Sequence, residues 1–197
     1  MKKILLIGNG PSIKNLKLYK LKNSFIVGTN NIIKKKEFLS NKNYYFCAYD
    51  EGLLEDKTWI KNFLKFKGKS FLDFEHRKKK SDFFFKKNFK KIKEEKLVRS
   101  FLKKFGDRRR TTGTVIVEMA IPIAIYLAKR YKISEIYLYG CEFNYKLKNK
   151  KLSNQSYFYN SVRNVGFKHT FKSSESWKKN NILKFKKIKI FLSKEKI

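Results

Sequence analysis

Short apolar runs that each stop at a cluster of small polar residues most narrow the folds open to this chain. Lys2 to Ile7 runs into Gly8-Asn9-Gly10-Pro11-Ser12. Ser24 to Gly28 runs into Thr29-Asn30-Asn31, Tyr44 to Ala48 into Tyr49-Asp50-Glu51-Gly52, and Glu135 to Tyr139 into Gly140-Cys141-Glu142-Phe143-Asn144. Runs of this length and composition read as buried strands. Between them lie stretches with helical spacing. Pro11 suits the first turn of a helix, so Ile13 to Leu21 is expected to be helical, as is Leu53 to Phe66. Thr112 to Tyr131 is the strongest helix, with Val115, Ile116, Met119, Ala120, Ile123, Ala124 and Leu127 on one face and Pro122 as a point of kinking. Ser70 to Phe74 is read as a further strand, Ser173 to Phe185 as a helix and Ile188 to Leu192 as a last strand. Alternating strand and helix predicts an α/β fold with a mostly parallel sheet flanked by helices. Only 2 Pro and 9 Gly argue against a flexible linker. The whole chain, 1–197, is therefore expected to be one domain, with a polar lid-like insertion at about 142–172.

Charge invites a different reading. There are 49 Lys+Arg against 16 Asp+Glu, a net charge of +33. Only seven of the basic residues are Arg, and Lys, Ile, Asn, Phe and Tyr together, the residues with the most A/T-rich codons, make up more than half of the 197 residues. Base readout and bidentate phosphate recognition favour Arg, so nucleic acid is not the expected main ligand. The charge is also uneven. His76 to Arg110 holds 16 basic and 4 acidic residues, a net +12, with Phe83, Phe84, Phe85, Phe89, Ile92, Leu97, Phe101, Leu102 and Phe105 mostly at helical spacing. Two readings stand: a solvated helix with one buried face, or a basic amphipathic surface for an anionic membrane or glycan. The C-terminal twenty residues, with eight basic groups and one acid, fit the second as well. No apolar run approaches the ~18 residues of a membrane span. The N-terminus reads as a strand rather than a signal peptide. Cys47 and Cys141 give neither a metal pattern nor a disulfide framework, and the expected compartment is the reducing cytoplasm, with peripheral contact at the inner face of the membrane.

In parallel sheets ligands bind beyond the carboxyl ends of the strands, which selects Gly8, Asn9, Gly10, Ser12, Asn30, Asn31 and Asp50 as candidate binding residues. A Gly-rich turn from strand to helix aims backbone N–H groups at an anion. The turn lacks GxGxxG spacing and a P-loop Lys, which disfavours that mode of ATP binding. Arg109-Arg110-Thr111-Thr112-Gly113-Thr114 opens the strongest helix. Its Thr hydroxyls can cap that helix, and with the arginines it makes a second anion site. There is no DxD motif and no metal-ligand spacing, so neither metal nor cofactor is expected. Two histidines are present; a lone His is more often structural or exposed, but if the chain is a transferase, His169, in a long polar stretch, is the best general base by elimination.

MKKILLIGNGPSIKNL, Asn30-Asn31, Tyr49-Asp50, Arg109-x-Thr111-Thr112-Gly113 and EIYLYGCEFNY together resemble bacterial CMP-sialic-acid sialyltransferases of glycosyltransferase family 42. The likeness covers about the first 65 residues, then Arg109 to about Tyr145, and continues loosely to the C-terminus. Gly-Asn-Gly-Pro-Ser is shared with flagellin-modifying motility accessory factors and pterin diphosphokinase-like domains. The resemblance implies a Rossmann-like nucleotide domain with a small lid and a metal-independent, inverting transfer of a sialic-acid-like sugar from CMP to a cell-surface glycan, such as a lipid-linked oligosaccharide. It implies that Asn9, Asn31 and Thr112 touch CMP, with Gly8 and Gly10 permitting close backbone approach. Arg109 falls near the active site, Tyr157, Tyr159 and Tyr145 are candidates for bonding the departing phosphate, and His169 matches the general base. Asp50 stands where the family favours Asn. A motility-accessory or pterin diphosphokinase-like transferase, or a basic nucleic-acid- or membrane-binding module, are the competing readings; a homo-oligomer is open.

Overall fold

The computed structural model describes residues 3–21, 23–48, 51–72, 91–106, 115–141, 147–148, 151–152 and 174–197. Five strands form one sheet: β1 (Lys3–Ile7), β2 (Ser24–Thr29), β3 (Tyr45–Ala48), β4 (Lys69–Leu72) and β5 (Ile136–Tyr139). Their order is β4-β3-β2-β1-β5 and every pairing is parallel. Helices flank both faces, giving the expected α/β, Rossmann-like architecture. Parallel strands covered on both sides need apolar residues at every position rather than every second one. That is why β1 and β3 are nearly continuous apolar runs, buried from Ile4 to Ile7 and from Tyr45 to Ala48.

Period-two alternation divides the core. Ile4, Leu6, Val27, Cys47 and Phe71 face one side. There they meet α3 (Lys96–Phe105) and α4 (Ile121–Tyr131), with part of α5 (Ser174–Lys194). Leu5, Ile7, Ile26, Phe46 and Leu72 face the other, against Ile13, Leu18, Ile33, Phe38 and Trp59. That second layer contains α1 (Lys36–Leu39) and α2 (Lys57–Lys65). Leu147–Lys148 and Lys151–Leu152, β6 and β7, form a small antiparallel pair within the stretch read as a lid; most of that stretch lies outside the described residues.

Two local expectations are corrected, and the two readings of a third segment are decided. The helix expected at Ile13 to Leu21 is instead two short 3₁₀ turns, Pro11–Asn15 and Leu18–Lys20. Ile13 and Leu18 are both fully buried, yet five residues apart they point in different directions on an α-helix. Extended backbone at Leu16 and Lys17 turns both inward. The expected last strand at Ile188 to Leu192 is helical and belongs to α5. The apolar stripe of 96–105 is not a free surface: Leu97, Val98, Phe101 and Phe105 are all buried in the core, so the solvated-helix reading holds for α3. Its lysines remain outside.

The strongest helix forms, with a variation at Pro122. A five-residue π-turn, Ile116–Ala120, precedes α4. Pro122 has no N–H to continue the regular ladder, and a widened turn before it accommodates the missing bond. Lys132, in the left-handed region at φ 53°, closes α4.

A candidate functional site at the carboxyl end of the sheet

The chain builds β1 to β4 outward in one direction, then returns to place β5 on the other side of β1. The strand order therefore reverses between β1 and β5, and the carboxyl ends around that point are where such sheets bind ligands. Gly8, Asn9, Gly10 and Ser12 follow β1 there, and Asn30 and Asn31 follow β2. These six expected residues come together at one end of the sheet. Asp50, Arg109, Thr111, Thr112, Gly113, Tyr145, Tyr157, Tyr159 and His169 lie outside the described residues.

The two glycines have a role that the sequence reading gave to a ligand. Gly8 N–H donates to the Tyr139 carbonyl at 2.7 Å, and Gly10 N–H donates to the Gly140 carbonyl at 2.8 Å. Both amides are spent on zipping the end of β1 to the end of β5. A Cβ on Gly8 would stand 2.3 Å from the Gly140 carbonyl oxygen and 3.0 Å from Cys141 Sγ. Gly140 has φ +67°, and a Cβ there would stand 2.5 Å from Ile13 Cγ1. Gly8→Ala is therefore expected to force two backbones apart and to cost ~2–3 kcal/mol. A urea midpoint unchanged from the wild type would show that this junction gives easily.

The asparagines join β1 to β2. Asn31 N–H donates to Asn9 Oδ1 at 3.1 Å, and Thr29 Oγ1 donates to the Ile7 carbonyl at 3.2 Å within the core. Asn30 occupies the left-handed region at φ 46°, which Asn tolerates better than most residues. Its carbonyl accepts Trp59 Nε1–H at 2.9 Å. Its Oδ1 is buried and has no hydrogen-bond partner among the described residues. Asn31 is itself buried.

A supporting layer missed by sequence reasoning fixes this turn from below. Trp59 is buried in α2, stacked on Phe63 at 5.2 Å. Asp56 caps α2, accepting Trp59 N–H at 3.0 Å, and pairs with Lys34 at 2.7 Å. Lys34 belongs to the 3₁₀ turn Asn30–Lys34 that opens with the asparagines. Burial alone would push the Asp56 carboxyl up, but Lys34 and the Trp59 and Thr58 amides outweigh it and hold it below its ordinary value. By linkage, that support is present above about pH 4 and fades as pH falls through the folded value. An Asp one residue before a helical run was a readable capping signal. The Trp59 partner, 29 positions away, was not.

Two further facts concern the same end. Tyr131, at the far end of α4, stacks on Phe25 at the start of β2, 4.7 Å between centroids. α4 therefore runs antiparallel to the strands, and the π-turn Ile116–Ala120 that leads into it lies on their carboxyl side. Cys141 is half-buried and Cys47 fully buried, and neither is in a disulfide; burial pushes the Cys47 thiol far up. No described helix is long and apolar enough to cross a membrane.

Comparison of the chain with protein-family models, with curated proteins and with solved structures gives no match. The class is set by the fold: an α/β, Rossmann-like architecture with a polar cluster beyond its strand ends.

Proposed function

We propose that this carboxyl-end cluster holds the CMP portion of a CMP-activated sialic acid or related nonulosonic acid, and that the chain transfers that sugar to a glycan acceptor. The observation that carries the reading is the Asn9–Asn31 bond, beside the buried Asn30 Oδ1. Asn9 and Asn31 are the positions that resemble the nucleotide-binding asparagines of family 42. An unpartnered buried acceptor is costly unless a donor meets it, and the exocyclic amine of cytosine is such a donor. The approach of α4 from the carboxyl side supports the same reading, because Arg109-x-Thr111-Thr112-Gly113 lies in sequence just before the π-turn that leads into that helix.

The reaction balances simply. The acceptor hydroxyl attacks the anomeric carbon as the bond from that carbon to the CMP phosphate oxygen breaks. His169 takes the hydroxyl proton, and the electron pair of the broken bond leaves on phosphate. Tyr157 and Tyr159 donate O–H bonds to that phosphate, Arg109 offsets its charge, and Tyr145 is a third donor. Such donors, already in place where charge develops, lower the barrier more than they would in water. The test is release of CMP from CMP-sialic acid in the presence of a lactose-type acceptor. Acceptor-dependent release is expected. Turnover of ATP with a pterin substrate, and none of CMP-sialic acid, would instead assign the diphosphokinase-like reading.

A further inference from the structure

We propose that the outer face of α5 docks the protein on an anionic bilayer surface. The inference is independent of the transferase reading.

α5 is apolar on two opposite sides. Its inner side, with Ile188 and Leu192, is buried against the sheet layer. Leu183 and Ile190 are seven residues apart and share the opposite side, where they are 53% and 58% exposed. Spacing of i, i+4, i+7 and i+11 along that side reads Lys179, Leu183, Lys186, Ile190. Lys187 and Lys194 flank the stripe, and Glu195 is the one acid from 179 to 197. The folded chain has already buried what it needs from this helix, so the second stripe serves no described packing.

Charge complementarity selects the occupant. A second copy of the chain would bring the same lysines and another +33 against them. Nucleic acid would use the lysines and leave Leu183 and Ile190 in water. An anionic bilayer uses both: apolar side chains enter the headgroup boundary, and lysine stems lie along them with ammonium groups at the lipid phosphates. Scarcity of Arg weakens a case for base readout but not for this one. The surface does not stop at the helix. A groove of about 860 Å³ separates α5 from the edge strand β5, lined by Ile182 and Lys186 on one side and Leu138 on the other. By contrast, α3 has comparable lysines but no apolar side left to insert.

The test uses sedimentation with phosphatidylcholine vesicles, with and without about one third phosphatidylglycerol, near physiological salt. The wild type is expected to bind the anionic vesicles and not the neutral ones. Leu183→Ser with Ile190→Ser leaves the charge and the buried side of α5 unchanged, and is expected to lower the partition at least ~10-fold. Leu64→Ser, at an exposed apolar residue of α2 on the other face of the sheet, is expected to leave it unchanged. Binding by the double variant equal to wild type, or an equal loss in Leu64→Ser, would overturn the assignment. So would self-association, seen by analytical ultracentrifugation without vesicles, that the double variant abolishes; the stripe would then belong to a second copy.

Discussion

Trp59→Ala is expected to destabilise the fold by ~3–5 kcal/mol, the range for truncating a buried aromatic. Trp59 is 1% exposed, stacks on Phe63 and lies 6.0 Å from Phe46 across the second core layer. The loss exceeds packing alone. Its indole N–H is the partner of the Asn30 carbonyl, and that bond anchors a residue held in the left-handed region. Trp59→Phe separates the two contributions: it keeps most of the ring volume and loses the hydrogen bond, for roughly 1 kcal/mol. Urea unfolding checks both. A loss below ~1 kcal/mol for Trp59→Ala would mean that the α2 layer collapses around the cavity and that the asparagine turn stands without it.

His169→Ala carries the other large effect. In the proposed reaction the acceptor hydroxyl cannot attack while it holds its proton, and removal of a general base costs ~10²–10⁴ in rate. The same variant is expected to bind CMP as the wild type does, because in that reaction the partner of the base is the acceptor hydroxyl and not the nucleotide. Unchanged turnover in His169→Ala would move the base to another residue. Equal loss of turnover and CMP affinity would make His169 a binding group.

What the sequence revealed, and what it hid, follows from how far apart the deciding residues lie. Strands were legible because burial on both faces writes itself into four or five consecutive apolar residues, as in Ile4 to Ile7 and Tyr45 to Ala48. Their carboxyl ends were legible for the same reason, and six candidate residues do meet there. The C-terminal segment misled because Ile188, Ile190, Phe191 and Leu192, with Lys189 alone as a polar residue among them, make a short run rich in β-branched and aromatic residues. The helix takes Ile188 and Leu192 inward and leaves Ile190 outside, so the residue that imitated a strand became the exposed stripe. The glycine turn misled in another way. Nothing local distinguishes an amide aimed at an anion from one aimed at a neighbouring strand, and the partner carbonyls belong to Tyr139 and Gly140, some 130 residues on. Lysine is visibly dense at 76–110 and in the last twenty residues, but nothing in the sequence assigns it an uncovered apolar face. Packing supplies one, by burying the apolar side of α3 and leaving a second apolar side on α5 uncovered.

In the proposed function the Asn9–Asn31 end of the sheet is a cytidine-nucleotide site. Calorimetric titration of CMP into the wild type and into Asn9→Ala tests it most directly, with ATP, GDP and UDP as the comparison ligands. CMP is expected to bind the wild type alone among these, and Asn9→Ala, still folded by circular dichroism, is expected to bind it ~10–100-fold more weakly, the loss of one or two buried hydrogen bonds. A wild type that takes ATP and ignores CMP, or a folded Asn9→Ala that binds CMP undiminished, would contradict it.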